Sequence, residues 1–129
     1  MKIKSLILSA AIGFTVVNAA ANPAVISSYI KNAEQIVFYG GYKYSIELFD
    51  FVLSLDRNNY DALLGKALSH KLLKEDGASD RFLRMAQEIN PSAVLPPLGR
   101  YLELERERAK NSEKIKREYY AFLDSMRGD

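Results

Sequence analysis

The sequence has no cysteine and only one histidine, His70, among its 129 residues. Without a thiol there is no disulfide framework, no Cys-ligated metal, no thiol nucleophile and no cysteine for lipid attachment. A lone histidine lacks the partner groups that a general base or a ligand set requires, so His70 is read as a packed or hydrogen-bonded structural residue. There is no phosphate-cradling loop either, because Gly40-Gly41 lacks the Lys-Ser/Thr pair and the preceding strand. Glu103, Glu105 and Glu107 cannot share one helical face and have no His or Asp cluster nearby, which argues against a metal site. The chain is therefore expected to be non-catalytic, with no cofactor and no metal. An enzyme with a divergent site would have to work through His70.

Long apolar runs are also scarce. The one present, Leu6 to Val17, stops at Asn18, short of the ~20 residues needed to cross hydrocarbon. It comes after the basic start Met1, Lys2, Lys4 and precedes the small residues Ala19, Ala20 and Ala21. That order predicts a secretory signal peptide over residues 1–21, cleaved after Ala19 or Ala21, with a permanent anchor as the alternative. The expected location is secreted or periplasmic, with no membrane attachment after cleavage. The full chain has 18 basic and 16 acidic residues, and losing Lys2 and Lys4 leaves 16 of each. With no basic surplus to neutralise phosphates, nucleic acid is excluded as a partner. Roughly 110 residues remain, enough for one small domain with one core.

From Asn22 onward the chain has helical periodicity. Asn22-Pro23 fits an N-cap followed by proline in the first turn. Ile26, Tyr29, Ile30, Ala33, Ile36 and Val37 recur at helical spacing, and Gly40-Gly41 closes the helix. Ile46, Phe49, Val52 and Leu53 mark a second helix, ended by Asp56-Arg57-Asn58-Asn59. The short link predicts an antiparallel pair.

Shifting the chain by 34 residues superposes this pair on the next stretch of sequence. Tyr29 falls on Leu63, Ala33 on Ala67, Ser45 on Ser79, Phe49 on Leu83, Val52 on Ala86 and Leu55 on Ile89, with no gap. A fixed period of this size marks stacked helical hairpins. Gly40, Tyr42, Ser45, Phe49 and Val52, then Ala67, Ser79, Ala86 and Pro91, resemble the turn, small, aromatic and closing positions of the tetratricopeptide repeat (TPR). Tyr29 and Leu63 stand at that family's tryptophan position and Arg57 at its first closing proline. Lys74 and Asp76 replace the second turn glycine and tyrosine, with Gly77 offering a shifted turn.

The fold class expected is all-α: two TPR-like hairpins over 22–95, then a long C-terminal capping and charged helix over 96–129. Pro96-Pro97 precedes that helix, and nothing breaks its pattern from Leu98 to Met126. Leu98, Tyr101, Leu102 and Leu104 are expected to cover the exposed end of the second hairpin. Glu113 with Arg117 and Lys114 with Glu118 mark a solvated stretch. Tyr119, Phe122, Leu123 and Met126 form a possible second contact, either folding back at Asn111-Ser112, pairing with a second copy or docking on a partner.

In the resembling family the first helix of each hairpin lines a concave groove that holds a peptide or helix. The resemblance assigns Ile30, Glu34, Val37 and Phe38 to the groove from the first unit. It assigns Asp61, Leu64, Leu68, Lys71 and Leu72 from the second. Because Ile30, Leu64 and Leu68 are apolar, an apolar helix in the groove is favoured over capture of a free carboxylate. The chain's own tail is the other candidate to cover these side chains. The function implied is a protein-protein interaction scaffold with a protein or peptide partner. The alternative is a small oligomeric structural subunit of an envelope complex, assembling through the C-terminal helix.

Overall fold

Asn22 begins the first helix as its sequence predicts, its side chain accepting a hydrogen bond at 3.0 Å from the Ala24 amide while Pro23 fills the first turn. The structure is a computed structural model that describes residues 22–127, so the signal-peptide reading lies outside the described residues. Six helices succeed one another: α1 (Pro23–Phe38), α2 (Tyr42–Leu55), α3 (Tyr60–Leu72), α4 (Asp76–Ile89), α5 (Gly99–Lys110) and α6 (Ser112–Ser125). There is no strand among the described residues, so the fold is all-α.

The two hairpins repeat at the level of backbone hydrogen bonds. Gly40 N–H bonds the Val37 carbonyl and Gly41 N–H the Ile36 carbonyl, both at 3.0 Å, which closes α1 through a left-handed residue at Gly40, φ +84°. At the same offset, Lys74 N–H bonds Lys71 O and Glu75 N–H bonds His70 O, with Lys74 itself left-handed at φ +63°. The second turn is thus not moved to Gly77, which lies in the first turn of α4. In the strained conformation of Lys74 the His70 and Lys71 carbonyls in the last turn of α3 gain amide partners from Glu75 and Lys74. The ends of α2 and α4 also match, through Asp56 N–H to Val52 O and Asn90 N–H to Ala86 O.

α1 packs on α2, α2 on α3, α3 on α4, and α1 also touches α3. One buried cluster joins Ile36, Val37, Leu48, Phe49 and Val52 across the first hairpin to Ala62, Leu68 and Leu72 of α3. A smaller one gathers Leu63, Ala86 and Ala93 at the second. Small residues set the close approaches. Ser45 and Ser69 hydroxyls meet at 2.8 Å between α2 and α3, and Ser79 donates to the Ala67 carbonyl at 2.8 Å between α3 and α4.

The single long helix expected from Leu98 to Met126 is two helices, interrupted at Asn111, φ −122° and ψ 43°. Two docking targets explain the break. α5 has to reach Phe38 and Tyr42, whereas α6 has to bring Tyr119 and Phe122 onto Tyr39. One straight rod does not serve both. α5 touches both hairpins: Leu102 lies beside Lys71 and Leu72 of the second, while the polar and aromatic contacts run to Phe38 and Tyr42 of the first.

Candidate functional site

The first helices of the two hairpins, α1 and α3, border a cavity of about 300 Å³. Glu34, Val37 and Phe38 line it from α1, and Asp61, Leu64 and Leu68 from α3, so six of the nine expected groove residues are brought together. Phe49 of α2 and Gly65 form its floor, and Pro96 and Tyr101 add a wall from the C-terminal region. Ile30 lies in an adjoining hollow of about 450 Å³ beside Ile26 and Asp56, which shares Glu34 and Asp61 with the first. Lys71 and Leu72 are at the other end. They line a hollow with Leu98 and Leu102, and Lys71 is paired with Asp76 at 3.2 Å.

The concave face is therefore divided. Its Leu72 end is roofed by the chain's own C-terminal region: Leu98 and Tyr101 pack against the core, and the Tyr101 ring stacks on Phe38 with centroids 5.3 Å apart. Arg108 fixes this roof, donating to the Phe38 carbonyl at 2.6 Å and to the Tyr42 hydroxyl at 3.1 Å. A guanidinium at the last carbonyl of α1 also meets the negative end of that helix's dipole. Tyr42 in turn donates to Glu105 at 2.6 Å. Burial and the Glu105 carboxylate together push the Tyr42 phenol up to about 12. The Ile30 end carries no such roof in the described residues.

At the open end the electrostatics are one-sided. The Glu34 carboxyl is held above its usual range, first by burial and then by the negative charge of Asp61. Neither residue forms an ion pair among the described residues. The Tyr101 phenol is raised by burial and by Glu34, with Arg100 acting in the opposite direction. Arg100 itself stands over the Phe38 ring, 5.5 Å from its centroid.

The residues expected to form a second contact are placed on the first hairpin. Tyr119 stacks on Tyr39 at 5.4 Å, Phe122 meets the same ring at 5.6 Å, and Leu123, 1% exposed, belongs to the main core with Met126 packed beside it. Tyr120 remains on the outside. His70 stacks on Phe82 and its Nδ1 lies 2.8 Å from Glu75. No group of His, Asp or Glu able to hold a metal occurs among the described residues.

Sequence reasoning missed Gly65 and the Tyr42–Glu105–Arg108 set. A Cβ at Gly65 would fall on the tip of the Phe49 ring, so the glycine is what leaves room for that aromatic beside the cavity. Its only signal was a glycine inside an otherwise regular helix. The Arg108 contacts span 66 and 70 residues, and nothing local announces them. The chain matches no protein-family profile, no curated protein and no solved structure.

Proposed function

We propose that the chain is an exported, non-catalytic interaction scaffold of the TPR type, which holds an apolar helix or peptide of a partner protein against α1 and α3. The observation that carries this reading is the cavity between the two first helices, where residues from both repeat units converge on one concave face. The 34-residue recurrence of turn and helix-end hydrogen bonds supports the same family reading. His70 is engaged by Phe82 and Glu75, which supports a packing role for that side chain. Export rests on the order of residues from Met1 to Ala21.

The test is affinity capture from the envelope fraction of the source cells, using the mature chain and its Leu64→Glu variant side by side. A protein retained by the first and lost with the second, while the helical circular dichroism is unchanged, supports the groove. A protein retained equally by both binds another surface, and the concave-face reading is then abandoned.

A further inference from the structure

We infer that the open half of the concave face recognises a peptide segment carrying a lysine or arginine among apolar residues, with Glu34 and Asp61 as the residues that select the cation. This rests on the scaffold reading and names the chemistry of its partner. Three features of the site lead to it. Glu34 and Asp61 belong to both adjoining hollows, so they stand where the two meet. Around them the walls are apolar and aromatic: Ile26 and Ile30 on one side, Phe38, Leu64 and Tyr101 on the other. Asp56 adds a third carboxylate to the outer hollow, against one cation there, Lys31.

The two carboxylates also act on each other, since the charge of Asp61 helps to hold the Glu34 carboxyl above its ordinary range. Like charges that act on each other and are held in no ion pair raise the local negative potential, and a cation entering between them relieves it. On the C-terminal side, Arg100 stands over the Phe38 ring and forms no ion pair with either carboxylate among the described residues. A Lys or Arg side chain suits both halves of the site. Its methylene stem lies along apolar walls while its charged head reaches the carboxylates. A cavity of about 300 Å³ admits one such side chain, whereas an acidic or purely apolar segment would leave Glu34 and Asp61 facing either a like charge or no partner.

The Leu72 end does not offer the same chemistry, because Lys71 is already paired with Asp76 and Leu98 fills the apolar side. The peptide is therefore expected to run from the Tyr101 wall toward Pro23, not along the whole groove.

A random peptide library displayed on phage, selected on the mature chain, tests this. The selected sequences are expected to contain Arg or Lys flanked by Leu, Ile or Phe. A synthetic copy of the best one, followed by fluorescence anisotropy, should bind the Glu34→Gln/Asp61→Asn double variant about tenfold more weakly. It should lose a similar factor when its basic residue is replaced by citrulline or norleucine. Both substituted residues are exposed, and unchanged thermal melting confirms that the variant is folded. Selected peptides that lack a basic residue, or that bind the double variant equally while failing on Leu64→Glu, overturn the inference and leave the groove reading in place. Peptides indifferent to all three substitutions, or no selected peptides, remove the groove reading too. If N-acetyl-arginine methylamide alone binds as tightly as the peptide, the ligand is a small organic cation and the inference of a peptide is wrong.

Discussion

α2 and α4 hold the same place in the two hairpins, yet they are buried very differently. α2 buries Tyr42, Tyr44, Leu48, Phe49, Phe51 and Val52 along with Ser45, whereas α4 buries only Ser79 and Ala86. The backbone is not the cause, because both helices begin and end at equivalent residues with equivalent hydrogen bonds. Neighbours are the cause. α2 is enclosed by α1 and α3, and α6 closes over the adjoining turn with Tyr119 against Gly41 and Leu123 in the shared core. α4 packs on α3 and ends the stack, carrying Arg84 and Gln87 where α2 has Asp50 and Leu53. A repeat sequence thus specifies one hairpin geometry, and the side chains facing its neighbours decide which copy becomes the core and which the edge.

The largest effect that sharpens this comparison is a charge placed at equivalent sites. Phe51 is 6% exposed and Met85, its counterpart, 39%. Phe51→Lys should lower stability by about 4 kcal/mol, because an unpaired ammonium is buried against Tyr29. Met85→Lys should stay within about 0.5 kcal/mol. Urea unfolding of the two variants checks this, and equal losses would show that α4 is as enclosed as α2.

Next comes Gly65, whose counterpart in the first hairpin is the exposed Lys31. Gly65→Ala drives a methyl into the buried Phe49 ring and should cost about 3 kcal/mol. Lys31→Ala should be close to neutral, within about 0.5 kcal/mol. Thermal melts read both.

Alkaline titration separates the hairpins by their phenols. Tyr42 and Tyr44 both have pKa values raised from 10.0 to about 12, chiefly by burial, while Asp76 and Ala78 stand at the equivalent positions of α4. Below pH 10 both phenols are neutral whether the chain is folded or not, so they contribute no pH dependence. Between 10 and about 12 the unfolded chain ionises them and the folded chain does not, so stability is lost as pH rises through that window. The loss is on the order of 2 kcal/mol for each phenol. Denaturant midpoints at pH 9 and above 11 measure it. Tyr44→Phe should remove only that residue's share of the loss, since the partly buried Tyr29, Tyr101 and Tyr119 phenols are raised as well. It should leave neutral-pH stability almost unchanged, because the Tyr44 hydroxyl has no hydrogen-bond partner among the described residues.

A smaller effect belongs to Arg108. Arg108→Ala deletes its bonds to Phe38 and Tyr42, and should cost about 1–2 kcal/mol. It should also increase proteolysis within α5 and α6 more than within α3 and α4. Uniform susceptibility along the chain would mean that the C-terminal helices are held by something other than this clamp.

Local chemistry made much of this legible in advance. Asn22-Pro23, Gly40 and the small residues Ala33, Ala67, Ser45 and Ser79 are read correctly from propensity and period alone, because caps and close helix contacts depend on residues near in sequence. The second turn was harder. Lys74 has no intrinsic preference for its left-handed conformation, and only the closure of α3 imposes it. The break at Asn111 was one of three alternatives for a related reason: its neighbours are good helix formers, and the bend answers to where Tyr39 and Phe38 lie in space. The groove residues divide similarly. Leu64 and Leu68 share a face of α3 by helical spacing, but the meeting of that face with Glu34 of α1, and the roof that Tyr101 and Leu98 place over part of it, are tertiary events.

The docking of the C-terminal region across the concave face is what divides the groove, and one pair reports on it directly. Phe38 and Tyr101 stack at 5.3 Å, and the geometry assigns α5 its place through them. A double-mutant cycle of Phe38→Ala and Tyr101→Ala, measured by denaturant unfolding, should return a coupling energy of about 0.5–1.5 kcal/mol. Strictly additive losses, with no coupling between the two positions, would contradict a C-terminal roof on this face.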